Sequence, residues 1–379
     1  MGPAFGDSLK QSLQGAKLAV FDRYHATFVV DLDTFVQLSD STTDVAGLLE
    51  RFQSVPQRVE LGQSSYLSMR FSGAQDEIAQ ESRKVDGSQL EEFSFTSSLD
   101  NTEATASYNR HPALGFGLHQ TGDIDRSLVM SDDAFSAPYL SFASEGYNFA
   151  ASTKLADLGT LRFGSFLGQQ DEDEQENGTS GSMAELAMPF AGWGELSVQL
   201  GVAAEKDTVL GSQTQGAFDT SGTTTYFSGL TGKLELTDSL SIVGSYFTGV
   251  SNPAPTDSSL FSDISSIHSN AFTIGLVGDG ALSEADHFGF VVNQPLRVTE
   301  GEATLSLATS RTQDGTVHKQ ETKADLAPSG REIDLEGFYD TALSEQSTLG
   351  ASLMLRTEPG HVANADEEAV FLLRFSHKF

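Results

Sequence analysis

From about residue 60 onward, hydrophobic side chains recur at every second position. That is the period of a β-strand, whose successive side chains point to opposite faces. Leu161, Phe163, Ser165 and Leu167 alternate with Arg162, Gly164, Phe166 and Gly168. Leu196, Val198, Leu200 and Val202 alternate with Glu195, Ser197, Gln199 and Gly201. Tyr226 to Leu234 alternates with Phe227, Gly229, Thr231, Lys233 and Glu235. Ile333, Leu335, Gly337 and Tyr339 alternate with Asp334, Glu336, Phe338 and Asp340, and Leu349 to Leu355 alternates with Gly350, Ser352, Met354 and Arg356. At the C-terminus Phe371, Leu373, Phe375, His377 and Phe379 share one face, and Leu372, Arg374, Ser376 and Lys378 the other.

This spacing predicts fourteen strands, near 65–71, 90–99, 102–109, 139–155, 160–168, 182–189, 194–203, 223–235, 239–249, 269–278, 302–310, 331–341, 345–356 and 368–379, with 286–294 as a further candidate. A soluble sandwich alternates too. Two features separate the cases. The polar face carries too many charges for a dry interior, so it is placed inward around water. The connections also alternate in length. Short turns (100–101, 157–159, 191–193, 237–238 and 343–345) alternate with long polar loops at 72–89, 110–137, 169–181, 204–222, 250–268, 311–330 and 357–367. Short turns at one rim and long loops at the other are the layout of an outer-membrane β-barrel. An even strand number would put both barrel ends at the short-turn rim.

A ~25 Å apolar band crossed at ~40° tilt takes about ten residues at ~3.4 Å rise, close to the length of these runs. In lipid every backbone polar group needs a partner, and closing the sheet supplies one along both edges. A charge on the lipid face costs ~2–4 kcal/mol at the midplane. The alternation therefore places Arg70, Arg162, Glu195, Lys233, Glu235, Asp334, Glu336, Arg356 and Arg374 toward the lumen.

The first 60 residues read differently, as a linker ahead of a barrel at 61–379. Asp7–Leu18 predicts a short helix and Ala19–Val36 a small hairpin. In 44–55 (DVAGLLERFQSV), Val45, Leu48, Leu49 and Phe52 lie at helical spacing, with Pro56 just after. A twelve-strand barrel has a backbone radius near ~12 Å. Its lumen is about one helix wide, since a helix measures ~10–12 Å across. The helix is therefore expected in the pore or packed near it.

Composition narrows the function. Lys+Arg total 22 against 53 Asp+Glu, a net charge of −31, which gives no basic stripe for nucleic-acid phosphates. The absence of cysteine removes disulfides, thiolate zinc sites and thiol nucleophiles. No apolar stretch is long enough for a membrane helix, and MGPAFGDSLK has neither the basic nor the apolar region of a signal peptide.

Several stretches carry a family resemblance: AFGDSLKQSLQGAKLAVFDRYHATFVVDL (4–32), GAFDTSGTTTYFSGLTG (216–232), SNAFTIGL (269–276), FGFVVNQPLRVTEGEATLSL (288–307), PSGREIDLEGFY (328–339) and FLLRFSHKF (371–379). They resemble the C-terminal translocator of monomeric autotransporters, the type V secretion pathway. The similarity is greatest to translocators that follow subtilisin-like serine peptidase passengers. The resemblance implies a 12-strand barrel, a helix in the pore and export of an N-terminal passenger. It also implies an assembly signal at Phe371, Leu373, Phe375 and Phe379, read by the barrel assembly machinery. His377 stands where such signals carry an aromatic or aliphatic residue, and fourteen strands exceed twelve.

Enzyme motifs weigh little. Gly6-Asp7-Ser8-Leu9, with Asp22 and His25 nearby, spells a GDSL hydrolase block, but no strand precedes Ser8 and no α/β domain surrounds it. Gly178-Thr179-Ser180 echoes a subtilase serine block without Asp or His blocks before it. The acidic run 171–176 reads as a solvated loop, and the histidines lack metal-ligand spacing. The expectation is a non-enzymatic, monomeric all-β transmembrane barrel in the cell outer membrane, of 12 strands or else 14, without a cofactor. It would contact lipid, lipopolysaccharide, the assembly machinery and a passenger polypeptide, and no nucleic acid. The alternative is a porin or solute channel.

Overall fold

The computed structural model describes residues 2–24, 26–38, 42–43, 57–62, 64–71, 90–118, 132–143, 146–172, 175–190, 192–283, 285–344 and 346–377. The in-pore helix expected over 44–55 lies outside the described residues, as does Phe379.

The alternating runs form one antiparallel sheet of fifteen strands, each paired with its neighbour in sequence. These are β1 (Gln57–Glu60), β2 (Ser65–Phe71), β3 (Leu90–Leu99), β4 (Thr102–Tyr108), β5 (Gly146–Lys154), β6 (Thr160–Glu172), β7 (Gln175–Phe190), β8 (Gly194–Glu205), β9 (Thr220–Thr237), β10 (Leu240–Pro255), β11 (Ile267–Asp279), β12 (Asp286–Glu300), β13 (Ile333–Ser344), β14 (Ser347–Thr357) and β15 (Glu368–His377). Among the described residues this sheet has fifteen strands, against the twelve or fourteen expected. Gln57–Glu60, read as linker, pairs with β2, and Asp286–Glu300 takes the wall position expected of 302–310. Among the described residues no ladder joins β1 to β15, so the expected closed barrel is seen here as a curled sheet open at that seam.

Glu302–Arg311 alternates because Ala303, Leu305 and Leu307 face a second core, not lipid. With Phe261–Ile264 and Val317–Asp325 it forms a three-stranded sheet at the long-loop end. The N-terminal segment packs on this sheet. Leu9 and Leu13, one helical turn apart on Ser8–Ser12 and its C-cap, are buried together. Ser12 Oγ accepts from the Asp325 amide and donates to its carbonyl. The expected hairpin is present as Lys17–Phe21 paired with Thr27–Asp31.

The two rims differ as expected, with two changes. The loop read at 169–181 is instead a ladder running on to Glu172 opposite Gln175. The odd strand number starts β1 on the long-loop side, whereas both ends were expected at the short-turn rim.

The apolar face points outward. Phe375 is 63 %, Leu353 46 % and Val198 41 % exposed, while their neighbours Ser352, Ser197 and Gln199 are buried on the concave side. Exposed aromatic pairs flank this belt: Tyr108 with Tyr147 where their strands meet the long-loop rim, and Phe190 with Trp193 at a short turn.

Inward aromatics lie across glycines on the adjacent strand. Phe227 is the register partner of Gly201, and Phe338 of Gly289. A Cβ on Gly201 would stand 2.2 Å from the Phe227 ring. Gly201→Ala is expected to cost about 1–3 kcal/mol through this overlap. The check is the temperature at which the folded, fast-migrating gel band is lost. Adding Phe227→Leu should restore most of it.

Candidate functional site

The concave face of the sheet encloses a lumen, and a stretch of the 109–145 connection fills part of it. Residues 112–118 (PALGFGL) and 132–143 (DDAFSAPYLSFA) are short 3₁₀ turns with Pro112 and Pro138 at their starts, where a missing N–H costs nothing. They bury Ala113, Phe116, Leu118, Phe135, Tyr139 and Leu140 against the inner wall. Residues 110–137 were expected as a polar rim loop and 139–155 as a strand, which begins only at Gly146. The segment turns inward because its apolar side chains would otherwise be left in water.

Contacts from many strands fix this plug. The Gly117 amide donates to Glu185 Oε2 on β7 at 2.7 Å. Ser245 on β10 donates to the Ala134 carbonyl at 3.1 Å, and Thr273 on β11 donates to the same oxygen. Tyr139 shares a hydrogen bond of 3.0 Å with Ser269 Oγ and stacks on Phe227 with ring centroids 4.8 Å apart. Phe135 and Leu118 join Val243, Val291, Phe338 and Met354 in one apolar cluster. Under the plug the inner wall thus offers both apolar side chains and hydrogen-bonding groups.

The charges predicted for the lumen form separate groups on the concave face. Arg162 pairs with Glu185, its partner across β6 and β7, and Gln199 Nε2 donates to the same carboxylate at 2.6 Å. Arg356 pairs with Glu332, stands 3.4 Å from Asp334 and 2.8 Å from Glu368. Thr43 lies on this group, its amide donating to Glu368 Oε1 at 3.0 Å. Ser352 donates to Glu336 Oε1 at 2.9 Å. Arg374 reaches over Gly350 to Asp340 at 3.9 Å. Arg70 pairs with Glu92 at 2.9 Å. Lys233 stands 4.0 Å from Glu235, on the face shared with Thr231, and Glu195 is its register partner. Glu185, Glu332 and Glu368 were not singled out from the sequence. A carboxylate at the register position of an inward arginine was the available signal for Glu185 and Glu368.

Of the assembly-signal positions, Phe371, Leu373 and Phe375 are exposed on the convex face. Ser8, from the GDSL block, is buried in the short N-terminal helix. Its neighbour Asp7 accepts from the Ser329 amide and hydroxyl and from Gln11, tying the segment to the long loops. His25 lies outside the described residues. Gly178–Ser180 lies within β7.

His361 closes the long-loop end. It is fully buried. Its Nδ1 accepts from the Glu332 amide at 2.8 Å, and Nε2–H donates to the Leu296 carbonyl at 3.0 Å. Only the neutral ring meets both demands. Burial lowers its pKa from 6.5 to about 4, against the pull of the Glu332 carboxylate. Between those values the unfolded chain holds a proton that the folded chain does not. The stabilisation is complete above pH 6.5 and is lost as pH falls toward 4, by an amount on the order of 3 kcal/mol. Hydrogen exchange at the Gly330 and Glu332 amides, corrected for intrinsic rates, should rise across that window. His361→Gln, whose amide neither titrates nor loses both contacts, should flatten the rise.

No protein-family model and no curated protein sequence matches the chain. Similar solved structures include outer-membrane expressed OmpT of Vibrio cholerae, with 10% identity, 85% of this chain and 88% of that chain covered, and a TM-score of 0.48. OprB of Pseudomonas putida has 14% identity, 77% and 72% coverage and a TM-score of 0.42. A bacterial polysaccharide outer membrane secretin has 9% identity, 84% and 87% coverage and a TM-score of 0.38.

Proposed function

We propose that this chain is an outer-membrane β-barrel that anchors an N-terminal passenger and passes it to the cell surface. The outward apolar belt, the aromatic pairs at its edges and the buried polar concave face support the membrane placement. One observation carries the export reading: the chain approaches the first strand from the long-loop side. Residues 2–24 and 26–38 pack at the long-loop end, Thr43 touches Arg356 and Glu368 on the concave face, and β1 then runs toward the short-turn rim. Polypeptide joined ahead of residue 2 would therefore stand outside the cell. In this reading the barrel is a monomer with no catalytic step of its own. Lipid and lipopolysaccharide surround it, and the assembly machinery reads Phe371, Leu373, Phe375 and Phe379.

The test is an epitope fused to the N-terminus of the full chain in a Gram-negative host. Protease added to intact cells should remove the epitope and leave the barrel. An epitope cut only after the outer membrane is opened would overturn the reading.

The plug favours a second reading, a solute channel whose constriction is residues 112–118 and 132–143. A channel conducts as isolated, and conductance, not the position of the epitope, separates it from the first reading.

A further inference from the structure

A cavity of about 550 Å³ opens at the long-loop end, between the N-terminal segment and the hairpin Thr208–Val209/Ser212–Gln213. That volume lies within the range of small-molecule sites. Its floor is Phe5, Leu9, Phe261, Ile267 and Leu326, all buried. The exposed residues Phe35, Leu38, Gln213 and Gln215 surround its mouth. None of the described residues lining it carries a charge, although one residue in five of the chain does.

The deep hydroxyls are already engaged. Ser212 Oγ accepts from the Gly2 amide at 2.8 Å, and Thr214 and Thr220 share a hydrogen bond of 2.7 Å. The floor therefore asks nothing polar of an occupant, and an apolar cavity of this kind holds apolar groups in preference to water. At the mouth Gln215 Nε2 donates to Gln213 Oε1 at 3.2 Å, which leaves each glutamine further amide donor or acceptor capacity but no counter-charge. The cavity lies beyond the strand ends, where Thr220 opens β9 and Ile267 opens β11, so it faces the aqueous side and not the lipid belt.

We infer that this cavity is a binding site for a small neutral amphiphile taken from the aqueous long-loop side, its apolar part on the floor and an uncharged polar end at the glutamines. A carboxylate or amine in place of that end would lose water without gaining a partner.

The probe is a diazirine-bearing octanol, photolysed with the full chain in lipid nanodiscs and mapped by peptide mass spectrometry. Label is expected within 35–38 and at Phe218 or Phe261. Unlabelled octanol should displace it, and octanoate at equal free concentration should compete about tenfold less well or worse. Ile264→Trp and Ala303→Trp, each filling the cavity, should remove this label while the chain keeps its fast-migrating folded band. Label confined to the convex belt overturns the site. Equal competition by octanoate overturns the neutral class. Unchanged label in both folded tryptophan variants overturns the location.

Discussion

Planar-bilayer recordings of the Glu185→Ala chain are expected to show steps several-fold larger and more frequent than those of the unaltered chain. Glu185 is 1 % exposed and accepts from three groups: Arg162 on β6, Gln199 on β8 and the Gly117 amide of the plug. Its removal leaves Arg162, 8 % exposed, without its carboxylate partner. Breaking a buried ion pair from one side costs roughly 3–5 kcal/mol. Three further polar ties to the plug, from Ser245, Thr273 and Ser269, are ordinary hydrogen bonds worth about 1 kcal/mol each. The loss at Glu185 is therefore comparable to these three together, and water is expected to enter around residues 112–118. A chain lacking residues 112–143 sets the upper limit of conductance. Arg162→Ala combined with Glu185→Ala should conduct less than Glu185→Ala alone, because no unpaired cation is left to draw water in. If Glu185→Ala folds and conducts like its parent, the plug is held by its apolar contacts and not by this carboxylate.

The wall was legible and its contents were not, for a physical reason. A strand facing lipid on one side and a wet lumen on the other must alternate, so Leu196 to Val202 and Leu349 to Leu355 announce both their conformation and their orientation. Alternation does not say what an apolar face meets. Ala303, Leu305 and Leu307 alternate as cleanly as the wall strands, yet they cover a core under the N-terminal segment. Phe227 and Phe338 share the inward face with charges, and the glycine opposite each and the plug give them apolar surroundings that their own strands do not reveal. The plug has no period because its turns are short and broken by proline. Its one available signal was the apolar content of 112–118 and 134–143 within a connection too long for a rim loop. Arg162 was readable as inward from its own strand. Glu185 becomes its partner only through the pairing of β6 with β7, which single-strand periodicity does not contain.

Leu200→Arg and Ile274→Arg are expected to prevent most of the chain from reaching the folded membrane form. Both side chains lie in long strands on the convex face, and Leu200 is 61 % exposed in the absence of lipid. In water such exposure would favour arginine over leucine, so a soluble protein should tolerate either change within about 0.5 kcal/mol. In a bilayer an arginine at mid-depth costs about 2–4 kcal/mol. Folded chains are stable by about 5–15 kcal/mol, so the two substitutions together, at about 4–8 kcal/mol, remove much of that margin. The companion change Glu195→Gln, on the opposite face of the same strand as Leu200, removes a charge from the wet side and should leave the folded fraction near that of the parent. The measurement is the fraction of unboiled protein in the fast-migrating band after refolding into lipid vesicles, with urea titration giving the size of the change. A Leu200→Arg chain that folds as well as its parent, both in vesicles and in lipid-free buffer, would mean that the exposed leucines meet water. The oily face would then need another cover, and the membrane placement would have to be given up along with the export route built on it.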